Sequence, residues 1–203
     1  MELLVNNTFF TADTHFEHAR ILEHCNRPYD TVTEMNENLV KRWNAIIKPN
    51  DIVYHLGDFA WKNHYKWINQ LNGKVILITG NHDKMNVVAK EKFFEIHTFL
   101  ERKINGQEIT LCHYPLSTFN KIWHGAWHLY GHVHGVRKER DDFPACDVGV
   151  DVWDFKPVHF DVIQDKMKDI KEFEKTFDWK LQMDINRAEL FGINQYYLEK
   201  FKK

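Results

Sequence analysis

The chain has no long apolar run and almost no excess of one charge. Its 203 residues contain no stretch approaching the roughly 20 apolar residues that a membrane-spanning helix needs, and the N-terminus has no basic region followed by an apolar core. We therefore expect a cytoplasmic protein without a membrane partner. The formal net charge of −2 argues against a protein whose main task is to coat nucleic acid, because such domains carry a clustered basic excess.

Cysteine is scarce, and its pattern excludes a disulfide framework. Cys25, Cys112 and Cys146 are odd in number, far apart and free of C-x-x-C spacing, so we expect reduced thiols. The sequence also contains no repeat, linker or low-complexity segment. A chain of this length can bury a full core as one domain. We expect a single domain over residues 1–203, with a helical C-terminal extension from about 160.

Strand and helix signals alternate along the chain, a pattern typical of a layered α/β domain. Short apolar runs predict strands at 8–12, 51–56 and 75–78, the last of them buried on both faces. Between the first two strands, Thr31 and Glu34 form a capping box that predicts the start of a helix. The apolar residues that follow at helical spacing are Met35, Leu39, Trp43 and Ile46.

The second half of the chain is predicted to begin with a hairpin. The Asn-Gly pair at 105–106 lies between two apolar runs and is a type I′ turn signal. Further strands are predicted at 127–131 and 147–152. Beyond Pro157, apolar residues at spacings of three and four predict an amphipathic helix. A second helical stretch is predicted from about 186 to 201.

Five short polar motifs follow the predicted strands. Phosphoryl hydrolysis needs a cation on the attacking oxygen and charge relief on the other oxygens, which two divalent metals about 3.5–4 Å apart can supply. Carboxylate, imidazole and amide oxygen suit such metals, and the motifs contain no thiolate. The motifs are Asp13-Thr14-His15, Gly57-Asp58, Gly80-Asn81-His82-Asp83, His113 and Gly131-His132-Val133-His134.

The order and spacing of these motifs resemble the calcineurin-like metallophosphoesterase family, especially its small uncapped bacterial and phage-type members. The resemblance runs from about Phe9 to Trp153 and includes the Arg27-Pro28 pair. It implies a four-layer α/β/β/α sandwich of mixed sheets with helices on the outside. It also implies hydrolysis of a phosphodiester or phosphomonoester with two divalent metal ions per chain. Mn²⁺ is the favoured ion, and Ni²⁺, Fe²⁺, Zn²⁺ and Mg²⁺ are alternatives.

The resemblance also assigns roles to individual residues. Asp58 would bridge the two metals, and a metal-bridging hydroxide would be the nucleophile. His82, next to the ligand Asn81, would stabilise or protonate the leaving oxygen. Asp83 is expected to fix the loop instead of binding metal. The ligands of one metal would be Asp13, His15 and His134, and those of the other Asn81, His113 and His132.

Some residues near the motifs have two interpretations. A guanidinium at Arg20 or Arg27 could grip a phosphate oxygen, although a solvated arginine or a structural salt bridge is the favoured alternative for each. Trp61, Tyr65 and Trp67 could form a stacking platform for a base. Packing against a sheet is the favoured alternative for these three aromatic residues.

His55, inside a predicted strand, is expected to have a packed or hydrogen-bonded core role. His124 and His128 stand four residues apart, a spacing that could bind metal on a helix, but a separate metal site is disfavoured because 127–131 is predicted to be a strand. Ordinary surface or core roles are expected for His18, His24, His64, His97 and His159.

The leading hypothesis is a metal-dependent phosphoesterase acting on a phosphate ester, for which a nucleotide or cyclic nucleotide is one candidate. A nuclease of the double-strand-break-repair type is disfavoured by the short gaps between motifs, which leave no room for a cap domain, and by the absence of basic excess. Nucleic acid is therefore not the favoured partner, and a homo-oligomer is left open. A non-catalytic scaffold of the same fold is disfavoured by the presence of His82. Asp147, where many relatives have Asn, would alter the local charge if it approaches the metals.

Overall fold

A computed structural model of the chain describes residues 7–137, 143–168 and 170, and its strands form two sheets. The first sheet has the order β4-β3-β2-β1-β9. Strands β1 to β4 are parallel, and β9 runs antiparallel to β1 at the edge. The strands are β1 (Thr8–Thr11), β2 (Ile52–His55), β3 (Lys74–Ile78), β4 (Glu95–His97) and β9 (Val158–His159).

The second sheet is also mixed, with the order β5-β6-β7-β8. Its first two strands form an antiparallel hairpin, and β6, β7 and β8 are parallel. Asn105 (φ 47°) and Gly106 (φ 85°) both lie in the left-handed region, which a type I′ turn requires, so the predicted hairpin is confirmed. The strands are β5 (Leu100–Ile104), β6 (Gln107–Leu111), β7 (Trp127–Tyr130) and β8 (Ala145–Asp147).

The strand predicted at 147–152 is wrong in its position. Strand β8 ends at Asp147, and residues Val150–Val152 form a 3₁₀ helix. The carboxylate of Asp147 accepts a hydrogen bond from the Gly149 amide, and Val150 then donates to the carbonyl of Ala12. These contacts turn the chain away from the second sheet and towards the end of β1.

Among the described residues, five α-helices accompany the sheets, and the longest begins where the capping box predicted it. The Thr31 hydroxyl accepts a hydrogen bond from the Glu34 amide, while the Glu34 carboxylate accepts from the amide of Asp30, one residue before the cap. Ile46, predicted to lie on the apolar face of this helix, is 36% exposed. Ile47, which follows the helix in an extended conformation, is buried in its place at 2% exposure. The helices are α1 (Ile21–His24), α2 (Val32–Ile46), α3 (His64–Ile68), α4 (Val87–Lys90) and α5 (Phe160–Lys168).

The main core lies between the two sheets. Phe10 and Ile76 from the first sheet meet Ile109 and Leu129 from the second, all nearly or completely buried. Helix α5 adds Phe160, Ile163 and Met167 to the same cluster. Full burial of one such side chain stabilises the fold by about 1.5–3 kcal/mol. Helix α5, which lies outside the five motifs, is therefore part of the core.

The other face of the first sheet is covered by helices. Phe9, Val53 and Leu77 from its strands form a second cluster with Leu39 and Trp43 of α2. On the second sheet, the outward side chain of His128 lies 5.4 Å, between ring centroids, from Phe119 of the connecting segment. That segment contains a single 3₁₀ turn, Ile122–His124. The two-sheet α/β architecture is thus confirmed, with a largely irregular segment over the second sheet.

The end of the chain bears on the predicted domain organisation. The described residues fall in one compact unit that reaches Ile170, and α5 begins at the point where the helical extension was predicted. The second predicted helix, at 186–201, lies outside the described residues, so a single domain over residues 1–203 stays a prediction. Within the described ranges, no helix is long and apolar enough to cross a membrane. All three cysteines are free, which confirms the absence of a disulfide among them.

Two histidines are buried in the core, one in each sheet. His55 in β2 and His128 in β7 are both 0% exposed, which confirms the core role expected for His55. Burial lowers the pKa of each imidazole to about 4. Nδ1 of His128 donates to the carbonyl of Thr110 and Nε2 accepts from the amide of Leu116. The carbonyl of Tyr114 also lies 3.2 Å from Nε2 and favours a proton there, but burial outweighs it.

A pH-dependent loss of stability follows from the buried His128. Between pH 6.5 and 4 the unfolded chain binds a proton at this residue and the folded chain does not, so its contribution to the free energy of unfolding falls as the pH falls. The loss approaches about 3 kcal/mol at pH 4. His128→Gln keeps a donor and an acceptor but cannot titrate. Urea unfolding of both proteins from pH 4 to 7 should show the wild type losing this amount relative to the variant, and parallel curves would contradict the prediction.

Candidate metal centre

The five motifs converge because the strands before them are parallel within each sheet. The carboxyl ends of β1, β2 and β3 lie at one edge of the first sheet, where ligand sites of parallel sheets form. The loops after them carry Asp13, Asp58 and Asn81. Strands β6 and β7 likewise run in parallel, and the loops after them carry His113 and the His132–His134 motif.

Close approach of the loops depends on glycine. Gly57 has φ +91°, and a Cβ there would lie 2.5 Å from the Gly80 amide nitrogen. A Cβ on Gly80 would collide with the carboxylate of Asp58. Both contacts involve groups that cannot move without shifting the site, so the glycines of the Gly-Asp and Gly-Asn-His-Asp motifs permit the packing of one loop on the other.

Asp13, His15 and His134 form the first ligand group, with candidate ligand atoms all within 4.8 Å of one another. One carboxylate oxygen of Asp13, Oδ2, accepts a hydrogen bond from the His132 amide at 2.8 Å. The other, Oδ1, and the Nε2 atom of His15 are buried and have no hydrogen-bond partner. Buried polar atoms without partners are costly, and a divalent cation between these atoms would satisfy both.

The electrostatics of this group also fit a cation. Burial raises the pKa of Asp13 to about 7, although the charge of His134 opposes the shift. A cation would favour the ionised carboxylate. Burial lowers the pKa of His15 to about 2, so its imidazole is neutral. The two Nδ1 atoms of His15 and His18 lie 3.2 Å apart. If His15 donates there, its Nε2 keeps the lone pair that a metal ligand needs.

Asp58, His113 and His132 form the second group, again with ligand atoms within 4.8 Å of one another. His113 Nδ1 donates to the carbonyl of Leu56 at 2.8 Å, which directs Nε2 into the site. Two oxygens converge on this nitrogen: Oδ1 of Asn81 at 3.1 Å and Oδ2 of Asp58 at 3.5 Å. Three such donors around one point suit a divalent ion with mixed nitrogen and oxygen ligands.

Asp58 lies between the two groups. Its Oδ2 atom is 3.5 Å from His15 Nε2 and 3.5 Å from His113 Nε2, and its Oδ1 accepts from the His82 amide at 2.9 Å. Burial raises the pKa of this carboxyl, but the hydrogen bond and charge of His113 outweigh burial and hold the pKa well below its usual range. An ionised oxygen is therefore directed at both groups.

A buried ion pair supports the first group from below. His134 Nδ1 donates to Asp151 at 2.7 Å, and Arg27 binds the same carboxylate through Nε and Nη2, each at 2.8 Å. Arg27 Nη2 also donates to the carbonyl of Asp13 at 2.7 Å. Burial lowers the pKa of His134, but the hydrogen bond that His134 donates to Asp151 outweighs burial and raises that pKa to about 10.

These contacts favour one of the two interpretations offered for Arg27. Arg27 is 4% exposed and forms the structural salt bridge, with its guanidinium committed to Asp151 and to backbone carbonyls. Arg20 is exposed at the start of α1. A phosphate contact by Arg20 stays a prediction.

Two further carboxylates fix the loops. Asp83 accepts hydrogen bonds from the amides of Asp58, Phe59 and Gly80, each at 2.8 Å, which confirms its loop-fixing role. Asp147 accepts from the amides of Gly135 and Gly149 at 3.0 and 2.8 Å, and its charge contributes to raising the pKa of Asp13. Asp147 therefore both ends the His132–His134 loop and adds negative charge near the site.

The mouth of the site contains His82 and several side chains whose surroundings differ from those predicted. His82 is partly exposed, with Nε2 3.9 Å from Asp58 Oδ2. His18, expected to be an ordinary histidine, touches His15 and stacks on Trp61. Trp67 is buried, as expected, but Trp61 and Tyr65 are 49% and 44% exposed, so the core interpretation is wrong for these two. For His18, the available sequence signal was its spacing of three residues from His15 of the first motif.

Tyr114 is another site residue that the motifs did not reveal. It follows the ligand His113 directly, is 45% exposed, and places its ring edge-on to both His113 and His132. Its hydroxyl lies 3.5 Å from Asn81 Oδ1. The rim of the second group is thus aromatic, as is the rim beside His82.

Two neighbouring clusters of carboxylate and imidazole thus form a candidate metal centre at the ends of two parallel strand sets. Consistent with this, residues 8–153 match the model of the calcineurin-like phosphoesterase superfamily domain. The chain belongs to this family. The resemblance drawn from the five motifs is therefore confirmed.

Individual relatives extend over most of the chain. The chain is 38% identical over 167 residues to the uncharacterized protein MJ1445 of Methanocaldococcus jannaschii, covering 76% of this chain and 88% of that protein. It is 25% identical over 205 residues to the gene 66 protein of Mycobacterium phage L5, covering 84% and 98%. Among solved structures, the protein of unknown function AQ665 from Aquifex aeolicus has a TM-score of 0.66 at 27% identity, covering 79% and 98%.

Proposed function

We propose that the chain hydrolyses phosphate esters with two divalent cations, one held by each ligand group. The observation that carries this proposal is the position of Asp58, whose Oδ2 lies 3.5 Å from a histidine of each group. Only a carboxylate can give one oxygen to two cations and also offset their mutual repulsion. Asp13, His15 and His134 would hold one ion, and Asn81, His113 and His132 the other.

The charges of the site favour an anionic substrate. Two divalent ions contribute four positive charges, and the carboxylates of Asp13 and Asp58 remove two, so the loaded site stays cationic. When bound, the ions supply an activated water as nucleophile and relieve the charge on the phosphate oxygens. Because the ligand set mixes imidazole with hard oxygen donors, Mn²⁺ is the favoured ion, with Ni²⁺, Fe²⁺, Zn²⁺ and Mg²⁺ as alternatives.

The residues around the ions would prepare and complete the reaction. Arg27 and Asp151 orient His134, a type of support that typically changes metal affinity 10- to 100-fold. Asp83 fixes the loop on which His82 stands. His82 itself lies at the mouth, hydrogen-bonded through its backbone to Asp58 and with its imidazole partly exposed. In this proposal it would give a proton to the departing oxygen of a substrate held by the ions.

The other hypotheses are weaker on these observations. A non-catalytic scaffold would have no use for His82 or for a ligand set in which Asp13 Oδ1 and His15 Nε2 lack partners. A nuclease of the double-strand-break-repair type remains a candidate within the same chemistry.

Metal removal tests the proposal directly. After chelation and desalting, hydrolysis of bis(4-nitrophenyl) phosphate should fall to the uncatalysed rate, because neither Asp58 nor a histidine alone can replace the charge of the ions. Mn²⁺ should restore activity, and elemental analysis of the active protein should approach two metals per chain. Ca²⁺ added at equal ionic strength is the control for a general salt effect. Undiminished hydrolysis in the metal-depleted protein would refute the dinuclear mechanism.

A further inference from the structure

An exposed indole lies beside the residue that faces the leaving group. Trp61 is 49% exposed, and its ring centroid is 5.1 Å from that of His82. Its backbone is fixed, because its amide donates to the carbonyl of Phe16 at 2.8 Å in the loop of the first motif. Together with the exposed Tyr65, which lines the same groove, Trp61 forms an aromatic patch beside a polar site, a feature that marks ligand-binding grooves.

The indole is also supported from one side. The imidazole of His18 stacks on it at 4.4 Å with an angle of 11° between the planes, and His18 in turn lies 3.2 Å from the metal-ligand candidate His15. Trp61 is therefore held at a fixed position relative to the metal centre. A planar group attached to the reacting phosphate by one sugar could reach this ring.

A groove extends from Trp61 away from the metal centre. Its cavity has a volume of about 420 Å³, and its walls come from the 61–66 and 84–89 segments. Tyr65, 44% exposed, is a second aromatic wall, and Lys62, Lys66 and Lys84 supply three cations. All lining residues belong to the described part of the chain, and none is a carboxylate. Lys66 lies 3.6 Å from Glu17, which leaves Lys62 and Lys84 as the stronger anion-binding candidates.

We propose that Trp61 and this groove form a subsite for the leaving nucleoside of a nucleotide ester. The base stacks on Trp61, and the next phosphate of the chain binds Lys62 and Lys84. Stacking on an aromatic residue accepts any base, and lysines bind phosphate as point charges. The placement beside His82 assigns the base to the leaving side of the scissile bond, and only this assignment rests on the proposed hydrolysis.

Binding of unreactive analogues to the metal-loaded protein tests the stacking half. The pair consists of adenosine and 1-O-methylribose, each with a 5′-phosphonate whose carbon bridge cannot be cleaved as an ester. By calorimetry, the adenosine compound should bind about 10- to 100-fold more tightly to the wild type. Trp61→Ala should abolish this advantage and leave the ribose compound within twofold. Trp61→Phe should keep most of the advantage.

Trp123→Ala is the matched control, because Trp123 is also 49% exposed but lies in the 3₁₀ turn Ile122–His124, outside the groove. It should bind both compounds as the wild type does. Equal binding of the two compounds by the wild type would overturn the stacking subsite. So would an equal loss of both in Trp61→Ala, since that result means Trp61 only supports the fold. If Trp61→Ala does not fold, the same comparison with Trp61→Leu decides.

The lysines distinguish a mononucleotide ester from an oligonucleotide. A dinucleotide analogue with the same unreactive linkage should bind the Lys62→Ala/Lys84→Ala double variant about tenfold less tightly than the wild type. The loss should shrink at high salt, because phosphate contacts release counterions. The mononucleotide analogue should bind both proteins equally. Unchanged affinity for the dinucleotide would overturn the phosphate half of the proposal and restrict the subsite to a mononucleotide ester.

The outcomes also separate this inference from the proposed activity. Trp61-dependent binding of the adenosine analogue, in a protein that hydrolyses no ester with any of the candidate metals, would refute the activity and keep the subsite. Metal-dependent hydrolysis without a preference for the base would refute the subsite and keep the activity.

Discussion

Asp58→Asn should remove metal from both ligand groups and lower kcat by about 10³-fold or more, since metals supply several kcal/mol of charge stabilisation. The amide has one oxygen in place of two charged ones, and it cannot offset the repulsion between two cations. Asn still has an oxygen that can accept the hydrogen bond from the His82 amide, as Asp58 Oδ1 does. The loop should therefore still fold. Elemental analysis of the folded variant and calorimetric titration with Mn²⁺ measure the effect.

Asp13→Asn is the matched control for this prediction. Asp13 belongs to the first group alone. Its replacement should therefore weaken the binding of one ion, at the first group, and leave the second group close to full metal occupancy. The carbonyl oxygen of Asn can still accept from the His132 amide in place of Asp13 Oδ2. If both variants lose one ion equally, Asp58 does not bridge the two groups, and the central assignment of the site is wrong.

The convergence of the motifs could be expected from sequence, because most of them follow a predicted strand. Apolar runs located β1, β2 and β3, and parallel pairing brings Asp13, Asp58 and Asn81 to one edge of the sheet. Their roles as metal ligands were implied by the resemblance to the family and stay a prediction. The antiparallel hairpin at 105–106 is a local feature, because two residues with positive φ determine it.

The partner of Arg27 could not be predicted, because it is distant in sequence. Arg27 and Asp151 form a buried ion pair across 124 positions, and although a structural salt bridge was one interpretation of Arg27, nothing in the sequence identified Asp151 as its partner. The true end of β8 depends on the carbonyl of Ala12, which captures the Val150 amide. The residue pattern of 147–152 carries no information about this competition between the second sheet and the end of β1.

Exposure of the aromatic residues depends on where a helix ends. Sequence spacing predicted that Tyr65 packs on the sheet along with Trp67, but α3 is only the five residues His64–Ile68. A single turn buries one face, which Trp67 and Ile68 occupy. Tyr65 is left at the surface, and Trp61, before the helix, is held by the Phe16 carbonyl at the mouth of the site.

His82→Ala should keep both metals and the fold while kcat falls by about 10²–10⁴, the usual contribution of a positioned acid. The side chain belongs to neither ligand group, and only its backbone amide is bonded to Asp58, so alanine preserves that contact. Metal content, melting temperature and kcat of the variant give the three measurements. His124→Ala, which removes an exposed histidine outside both groups, should leave all three unchanged.

The size of the loss should depend on the leaving group, because a proton helps most where the departing oxygen is most basic. Nitrophenolate needs little protonation, so hydrolysis of a 4-nitrophenyl ester should suffer much less from His82→Ala than that of an alkyl or ribose ester. A His82→Gln variant, which can donate a hydrogen bond but cannot transfer a proton, separates charge stabilisation from proton transfer. Recovery of the alkyl ester rate in His82→Gln would assign His82 to hydrogen bonding alone. Full activity of His82→Ala on the alkyl ester would show that this histidine takes no part in the departure of the leaving group.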